Sequence, residues 1–441
     1  MTEVIAIITQ FIIFSLIFSF PFNPETLSNI FNSKKFYFGI FDTLLINSVL
    51  IFNFLIITSY LNLSLNTIFF VLLFISILNF IFYFNKWTKY FIKEKNNIIF
   101  FSILCLCIFF SFSNSLKFEW DGIAHWFFKT KLFYDGHAID NIKNLPAPMY
   151  PHLGTYLWAF FWKNSLLEYE YLGRLIYIFI YLLAIFSVSC SLFNDKNFNN
   201  FLLFPIIFFL TILTYDEYLF GGYQEYLLFS FITYISKLIL YIIDNNSSSM
   251  KQLFILILSG NLLIYFKDEG IIYLLIIFFI FQFCLKSFLK KILIIFSIII
   301  LILIQLFLEK NIIQVYGFQE ELRINFNYIL NLKFLVTNTI LILKYIIISF
   351  LKYPLWIITF IAFYILFRSK IEKKKLMFLF SIISGLLGFY ILLYTIHPAT
   401  SEFLLKVTLD RLIFQTSGFF IIYILVSFNL IYFDFKYYLK K

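Results

Sequence analysis

Residues 292–308 read ILIIFSIIILILIQLFL, an apolar run that only Ser297 and Gln305 interrupt. A helix that crosses the hydrocarbon core of a bilayer needs about 20 predominantly apolar residues, within a range of about 17 to 25. This run meets that requirement and carries no charge. Comparable runs recur along most of the chain, so the sequence predicts a membrane protein built from many such helices.

The composition of the whole chain supports this prediction. Hydrophobic residues make up 62% and charged residues 13% of the sequence, and the mean hydropathy is +0.91. Soluble domains carry roughly a quarter charged residues. No fixed-period repeat and no linker rich in Gly or Pro divides the chain. We therefore expect an all-α, polytopic helix bundle that forms a single membrane domain over residues 1–441.

The same length rule predicts about 11–13 transmembrane helices, with boundaries accurate to a few residues. The first run, Val4 to Phe20, lacks a basic segment before it and a small-residue cleavage site after it, so it is predicted to be retained as a span. The predicted spans lie near 4–20, 44–62, 67–84, 98–116, 172–192, 201–215, 222–243, 252–266, 271–285, 292–308, 351–367, 376–396 and 413–433.

The lysine-rich loops predict the orientation, because loops on the cytoplasmic side carry an excess of Lys and Arg. They fall together on the cytoplasmic side if the N-terminus is outside. The loops contain Lys86, Lys89, Lys93 and Lys95; Lys286, Lys290 and Lys291; Arg368, Lys370, Lys373, Lys374 and Lys375; and Lys436, Lys440 and Lys441 in the tail.

This orientation places two moderately apolar segments, 152–166 and 324–345, on the outer surface as interfacial helices. The predicted location is a membrane that the chain crosses many times. The net charge of +10 is accounted for by the lysines of loops at helix ends. No nucleic-acid partner is therefore expected, whereas membrane lipids are expected partners.

Most acidic residues and all four histidines then fall on the outer side, which the rule for basic residues does not explain. The longest outer loop spans 117–171 and is expected to contain amphipathic helices. Asp121 and His125 are four residues apart within helical spacing, so both side chains are expected on one face. Glu119 and Asp121 follow directly after a span, at the depth of a lipid headgroup. Capping by Asp121 and membrane anchoring by the loop tryptophans are the structural alternatives.

Further polar residues lie at other outer helix ends. Asp268 and Glu269 follow Lys267, and pairing of these acids with Lys267 or Arg411 is the structural alternative to a functional role. Arg is scarce, with four in the chain, and the planar guanidinium suits phosphate better than a lysine does. Arg411 could equally anchor the chain to headgroups.

Taken together, these motifs resemble the bacterial GT-C glycosyltransferases, membrane enzymes that take sugars from polyprenyl-phosphate carriers, among them mannosyltransferases. The resemblance covers residues from about 117 to 415. It rests on Trp120-Asp121-x-x-Ala124-His125-Trp126-x-x-Lys129-x-Lys131, Tyr134-x-Gly136, Tyr150-Pro151, Lys267-x-Glu269-Gly270 and Leu409-Asp410-Arg411-Leu412. The chain departs from many members in carrying several spans before this loop.

The resemblance implies transfer of a sugar from a lipid-linked donor to an envelope glycan, lipid or protein, with inversion at the anomeric carbon. It makes Asp121 the catalytic base and Glu119 the reserve candidate. The implied donor-phosphate ligands are Lys129, Lys131, Lys267 and Arg411. The implied substrate-binding residues are His125, Trp126, Tyr150, His152, Asp268 and Glu269.

No cofactor is expected. Some relatives use a divalent metal, but no spacing of acids and histidines here indicates one. Two other functions remain open. A secondary transporter would also have many spans, although it usually shows repeated halves. A polymerase or ligase of the O-antigen type would be expected to have arginine-rich outer loops. A purely structural membrane protein is the third alternative.

Overall fold

The structure, a computed structural model, describes residues 1–31, 37–116, 118–192, 200–245, 248–314, 331–354, 356–358, 361, 373–396, 400 and 402–419. Within these ranges the regular structure is helical and no strand occurs. The long helices are α1 (Thr2–Ile17), α2 (Ile40–Tyr60), α3 (Leu65–Phe82), α4 (Lys95–Ser115), α5 (Glu170–Leu192), α6 (Asn200–Thr214), α7 (Glu225–Asn245), α8 (Met250–Phe266), α9 (Glu269–Cys284), α10 (Phe288–Leu308), α11 (Leu332–Lys352), α12 (Lys373–Ile396) and α13 (Glu402–Thr416).

Seven of the described helices are long and apolar enough to cross a membrane, namely α2, α3, α4, α5, α7, α10 and α11. Shorter apolar helices, of 10–17 residues, lie within α1, α6, α8, α9 and α12. Helices suit a bilayer because all their central backbone groups are hydrogen-bonded internally. The prediction of an all-α protein is confirmed for the described residues, which include seven helices that could span a membrane, while a total of 11–13 spans stays a prediction.

The helices differ in how much of their surface the protein covers. The apolar windows of α5 and α7 are buried throughout, so these two helices form the centre of the bundle. Only 22% of the corresponding windows of α10 and α11 is buried, which leaves apolar faces suited to lipid. Three charged residues of these helices, Arg174, Glu225 and Lys237, are therefore enclosed by protein.

One end of the bundle gathers helix termini that the sequence predicts on the outer side. The Tyr171 hydroxyl donates to Glu3 at 2.7 Å, which joins the start of α5 to the start of α1. The backbone N–H of Glu119, after α4, donates to the carbonyl of Gly221, before α7, at 2.9 Å. The long loop and the starts of α1, α5 and α7 therefore share one end.

The opposite end holds two of the lysine-rich loops. Lys86 forms a 2.9 Å ion pair with Glu25. The Gln252 amide donates to the carbonyl of Ile30 at 2.7 Å, and Lys290 donates to the carbonyl of Ser248. These contacts agree with the prediction that the loops around Lys86 and Lys290 lie on one side. The compartment that each end faces stays a prediction.

A buried ion pair lies towards this second end, between the central helices. Lys237 of α7 contacts Asp42 of α2 and also donates to the carbonyl of Ser187 of α5 at 3.0 Å. Both charged side chains are almost fully buried. Ionisable residues inside a membrane protein usually pair in this way, because an isolated charge there is costly. The sequence pattern alone does not indicate this pair.

The prediction of an interfacial helix at 152–166 is wrong. The helix that forms, Leu153–Lys163, is too short to span a bilayer, and nearly all of it is buried among the loop and the spans. Trp158 is fully buried and its indole N–H donates to the carbonyl of Glu170 at 3.3 Å. The aromatic residues of this helix therefore fill the protein core. The prediction failed because an aromatic composition suits a protein core as well as a membrane interface.

The prediction for 324–345 is only partly testable, because residues 315–330 lie outside the described ranges. The helix that follows, α11, begins at Leu332 and has the length and composition of a span. Most of the predicted spans 351–367 and 413–433, the side chains of the third lysine-rich loop, the lysines of the tail, and His397 also lie outside the described residues.

Candidate functional site

The long loop packs tightly onto the turn before α7 through glycines. A Cβ atom on Gly122 would lie 2.2 Å from the carbonyl oxygen of Gly221. Gly222 has a φ of +106°, in the region that favours glycine, and a Cβ there would lie 2.8 Å from the Cα of Gly122. The two segments can approach this closely only because neither carries a side chain at these positions.

The first part of the loop is helical, while the amphipathic character predicted for it stays a prediction. A π-helical turn, Gly122–Phe127, runs directly into a helix at Phe128–Tyr134. Such turns widen a helix and occur frequently at functional sites. Asp121 immediately precedes the turn and His125 lies within it. Burial lowers the pKa of His125 below its ordinary value, and the Asp121 carboxylate opposes that shift.

The charges of Lys129 and Arg411 lower the pKa of His125 further. His125 is therefore close to three charged groups, one acidic and two basic. At neutral pH the lowered pKa leaves its ring uncharged, and the buried Nδ1 atom has no hydrogen-bond partner within the described residues. The imidazole can thus interact with a further polar group.

The centre of the site is Glu225, at the start of α7. Its side chain is fully buried. Nε and Nη2 of Arg411 each lie 2.7 Å from Glu225 Oε1, and Nζ of Lys267 lies 2.9 Å from the same oxygen. One carboxylate thus holds two cations from α13 and from the turn between α8 and α9. Glu225 is not among the predicted site residues because it falls inside the predicted span 222–243.

Asp121 is joined to this centre through Arg411. Nη1 of Arg411 contacts the Asp121 carboxylate, which is partly exposed, and the guanidinium lies 4.3 Å from the centre of the Tyr223 ring. A planar guanidinium that pairs with two carboxylates and stacks on an aromatic ring is firmly oriented. Asp121 is therefore held at a defined position at the edge of the buried cluster.

Lys267 also approaches Glu269, at 3.8 Å. Burial alone would lower the pKa of Lys267, but Glu225 and Glu269 raise it above its usual value. Asp268 lies between Lys267 and Glu269 in the sequence and immediately precedes α9. The structural alternative of acids pairing with Lys267 is thus observed for Glu269, although the stronger partner is Glu225.

The four predicted phosphate-binding cations are not gathered at one point. Only Lys267 and Arg411 share a carboxylate. Lys129 is buried in the loop, where its Nζ donates to the carbonyl of Tyr150 at 2.6 Å and lies over the rings of Trp126 and Tyr150. Lys131 points away and forms an exposed ion pair with Asp135 at 3.4 Å. A surface pair of this kind contributes little.

Trp126 and Tyr150 pack against each other, with ring centres 5.2 Å apart, and Tyr150 also contacts the ring of His125. These three predicted substrate-binding residues therefore do lie together. His152 is different, because it is buried and its Nε2 is 2.9 Å from the hydroxyl of Ser59. Its contacts are those of a residue that joins the loop to α2.

His152 predicts a pH dependence of stability. Burial lowers its pKa to about 3, and the charge of Lys129 adds to this effect. The unfolded ring has a pKa of about 6.5, so between these values only the unfolded chain binds the proton, and stability falls as the pH falls. We expect the wild type to be about 2 kcal/mol less stable at pH 5 than at pH 7 from this group alone.

Thermal unfolding in detergent across this pH range measures the effect. His152→Gln, which can still bond to Ser59, should show a shallower dependence than the wild type. The exposed His137→Gln is the matched control and should behave as the wild type does. Equal pH dependence for all three proteins would show that His152 does not contribute.

Within the described residues, no three His, Cys, Asp or Glu side chains are grouped so that they could hold a metal ion. The arrangement offers instead a partly exposed carboxylate, two buried cations bound to a second carboxylate, and an uncharged imidazole. No protein-family model, curated protein or solved structure matches this chain.

Proposed function

We propose that the protein is a glycosyltransferase of the GT-C type. It would transfer a sugar from a polyprenyl-phosphate-linked donor to a glycan, lipid or protein acceptor on the outer side of a bacterial inner membrane. The observation that carries the proposal is a series of ion pairs in which Asp121 pairs with Arg411, and both Arg411 and Lys267 pair with the buried Glu225. These residues come from distant parts of the sequence and meet at one end of a bundle of apolar helices.

The chemistry of sugar transfer fits these groups. The acceptor hydroxyl oxygen attacks the anomeric carbon, the bond from that carbon to the phosphate oxygen breaks, and the hydroxyl proton passes to a base. Asp121 is partly exposed and oriented by Arg411, so it can accept that proton. The phosphate leaves with the bonding electrons, and nearby cations stabilise the charge that develops.

Arg411 retains donor capacity for this role. A guanidinium has five N–H donors, and a lysine ammonium has three. Arg411 directs three of its nitrogen atoms towards Glu225 and Asp121, and Lys267 directs its ammonium towards Glu225. Donors therefore remain on both cations for a phosphate oxygen. The position at a helix end would leave the carrier's lipid chain within the bilayer.

The test is transfer of labelled sugar by the purified full chain in proteoliposomes that contain polyprenyl-phosphate sugars and an envelope glycan fraction. Arg411→Lys keeps the charge but cannot pair with both Asp121 and Glu225. Loss of one charge-assisted hydrogen bond, about 1.5–3 kcal/mol, should lower the rate roughly tenfold to a hundredfold.

Lys131→Met is the matched control, because Lys131 is exposed and forms its ion pair with Asp135, which is exposed too. We expect its rate to stay within about twofold of the wild type, since an exposed pair is worth 0–1 kcal/mol. Absence of transfer by folded wild-type protein from any polyprenyl carrier would contradict the proposal. Equal rates of sugar transfer for the wild type and Arg411→Lys would show that Arg411 is not part of the active site.

A further inference from the structure

Two segments that pack directly on each other carry buried polar atoms that have no hydrogen-bond partner within the described residues. The segments are 122–126 of the loop and 221–225 before and at the start of α7, joined by the contact between Gly122 and Gly221. The unpartnered atoms are His125 Nδ1, Trp126 Nε1, both amide atoms of Gln224, and Glu225 Oε2. Buried polar groups are nearly always hydrogen-bonded, so five such atoms on two touching segments call for an explanation.

Gln224 is the most informative of these residues. Its side chain is fully buried, and it packs against Gly154 of the loop helix, where a Cβ atom would lie 2.3 Å from the amide carbon. The amide supplies two donors and an acceptor that nothing within the described residues uses. A buried leucine of similar size would avoid the cost of leaving these groups unpaired.

Glu225 adds a charged acceptor beside this amide in the sequence. Its Oε1 atom binds Lys267 and Arg411, whereas its Oε2 atom is buried and has no partner in the part of the chain that the structure describes. The indole N–H of Trp126 adds a donor on the facing segment. The combination therefore contains donors, neutral acceptors and one carboxylate oxygen, next to aromatic rings.

We propose that these segments form a subsite for the hydroxyl groups of a sugar. Each sugar hydroxyl both donates and accepts a hydrogen bond, which matches a mixed set of amide, indole and carboxylate atoms. A phosphate would need donors alone, and Glu225 Oε2 would repel it. The binding of a lipid-linked sugar rests on the proposed function. The binding of sugar hydroxyl groups does not, because the same side chains would bind a free sugar as well as a lipid-linked one.

The experiment compares ligand-induced thermal stabilisation of the purified full chain in detergent. The probes are undecaprenyl phosphate, the same lipid carrying mannose, and millimolar methyl glycosides of mannose, glucose, galactose and N-acetylglucosamine. We expect sugar-bearing ligands to stabilise the wild type beyond any effect of the bare lipid. Gln224→Leu should weaken that sugar-dependent binding at least tenfold and leave the effect of the bare lipid unchanged.

The control is Gln282→Leu, because Gln282 of α9 is also buried and neither of its amide atoms has a partner among the described residues, but it lies near the other end of its helix. We expect neither substitution to lower the melting temperature without ligand, and only Gln224→Leu to change sugar binding. Trp126→Phe, which removes the N–H donor and keeps an aromatic side chain, supplies a second variant if Gln224→Leu does not fold.

The outcomes separate this inference from the proposed function. Suppose that methyl glycosides bind the wild type but not Gln224→Leu, while neither lipid stabilises the protein and no sugar is transferred. This result would support the subsite and contradict the glycosyltransferase proposal. Sugar binding that Gln224→Leu and Trp126→Phe leave intact would overturn the subsite, and the unpartnered atoms would then bind water only. Absence of binding by any sugar, free or lipid-linked, would overturn it as well.

Discussion

Replacing Asp121 with Asn is expected to lower the rate of sugar transfer by a factor of about 100 or more, because a positioned base contributes about 10²- to 10⁴-fold. Asn has the same shape and can still accept a hydrogen bond from Arg411, so the contact that orients position 121 is retained. It cannot accept the proton of the acceptor hydroxyl. The measurement is the initial rate of transfer from a polyprenyl-phosphate sugar in proteoliposomes.

The matched control for this substitution is Asp135→Asn. Asp135 lies in the same loop and pairs with a cation too, but both members of that pair are largely exposed. Its rate should stay close to that of the wild type. If Asp121→Asn transfers sugar as fast as the wild type, Asp121 serves only to hold Arg411, and Glu119 becomes the candidate base.

Replacing Glu225 with Leu is expected to destabilise the protein by about 3–5 kcal/mol and to abolish transfer. The substitution leaves Lys267 and Arg411 buried without the carboxylate that both of them contact. Breaking one side of a buried ion pair is costly because the remaining charge has lost its solvent and its partner. Unfolding by SDS in mixed micelles measures the change in stability.

Two further variants separate the stability effect from the functional one. Glu269→Gln removes a more exposed carboxylate 3.8 Å from Lys267 and should cost no more than about 1 kcal/mol. Replacing the whole group, with Glu225→Leu, Lys267→Met and Arg411→Met together, should recover much of the lost stability, since apolar residues often replace buried ion pairs without penalty. That protein should remain inactive. A Glu225→Leu protein as stable as the wild type would contradict the assigned role.

The sequence predicted the helices well where the apolar run was long and uninterrupted. The run 292–308 lies within α10, Phe288–Leu308, and the opposite placement of the long loop and the loops around Lys86 and Lys290 agrees with the contacts. Length and composition decide such features because a bilayer requires them of every spanning helix. The helix at Leu153–Lys163 was misassigned because the same aromatic composition suits a protein core and a membrane interface.

The candidate site was predictable only in part. Asp121, Lys267 and Arg411 stand out as polar residues at helix ends, and all three prove to lie in one cluster. Glu225 and Lys237 escaped notice because a hydropathy average over a span hides a single charge. Both residues belong to α7, the fully buried central helix, and each has partners on other helices.

The sequence by itself therefore predicted a bundle of apolar helices, and that the loops around Lys86 and Lys290 share an end, since hydropathy and the positions of lysines are local properties. Only the tertiary structure decided that Glu225 contacts Arg411, 186 positions further along the chain, and that Gln224 is buried against Gly154. Partners at such separations are selected by the packing of whole helices, because a charge or an amide enclosed by protein is tolerated only where another segment can compensate it.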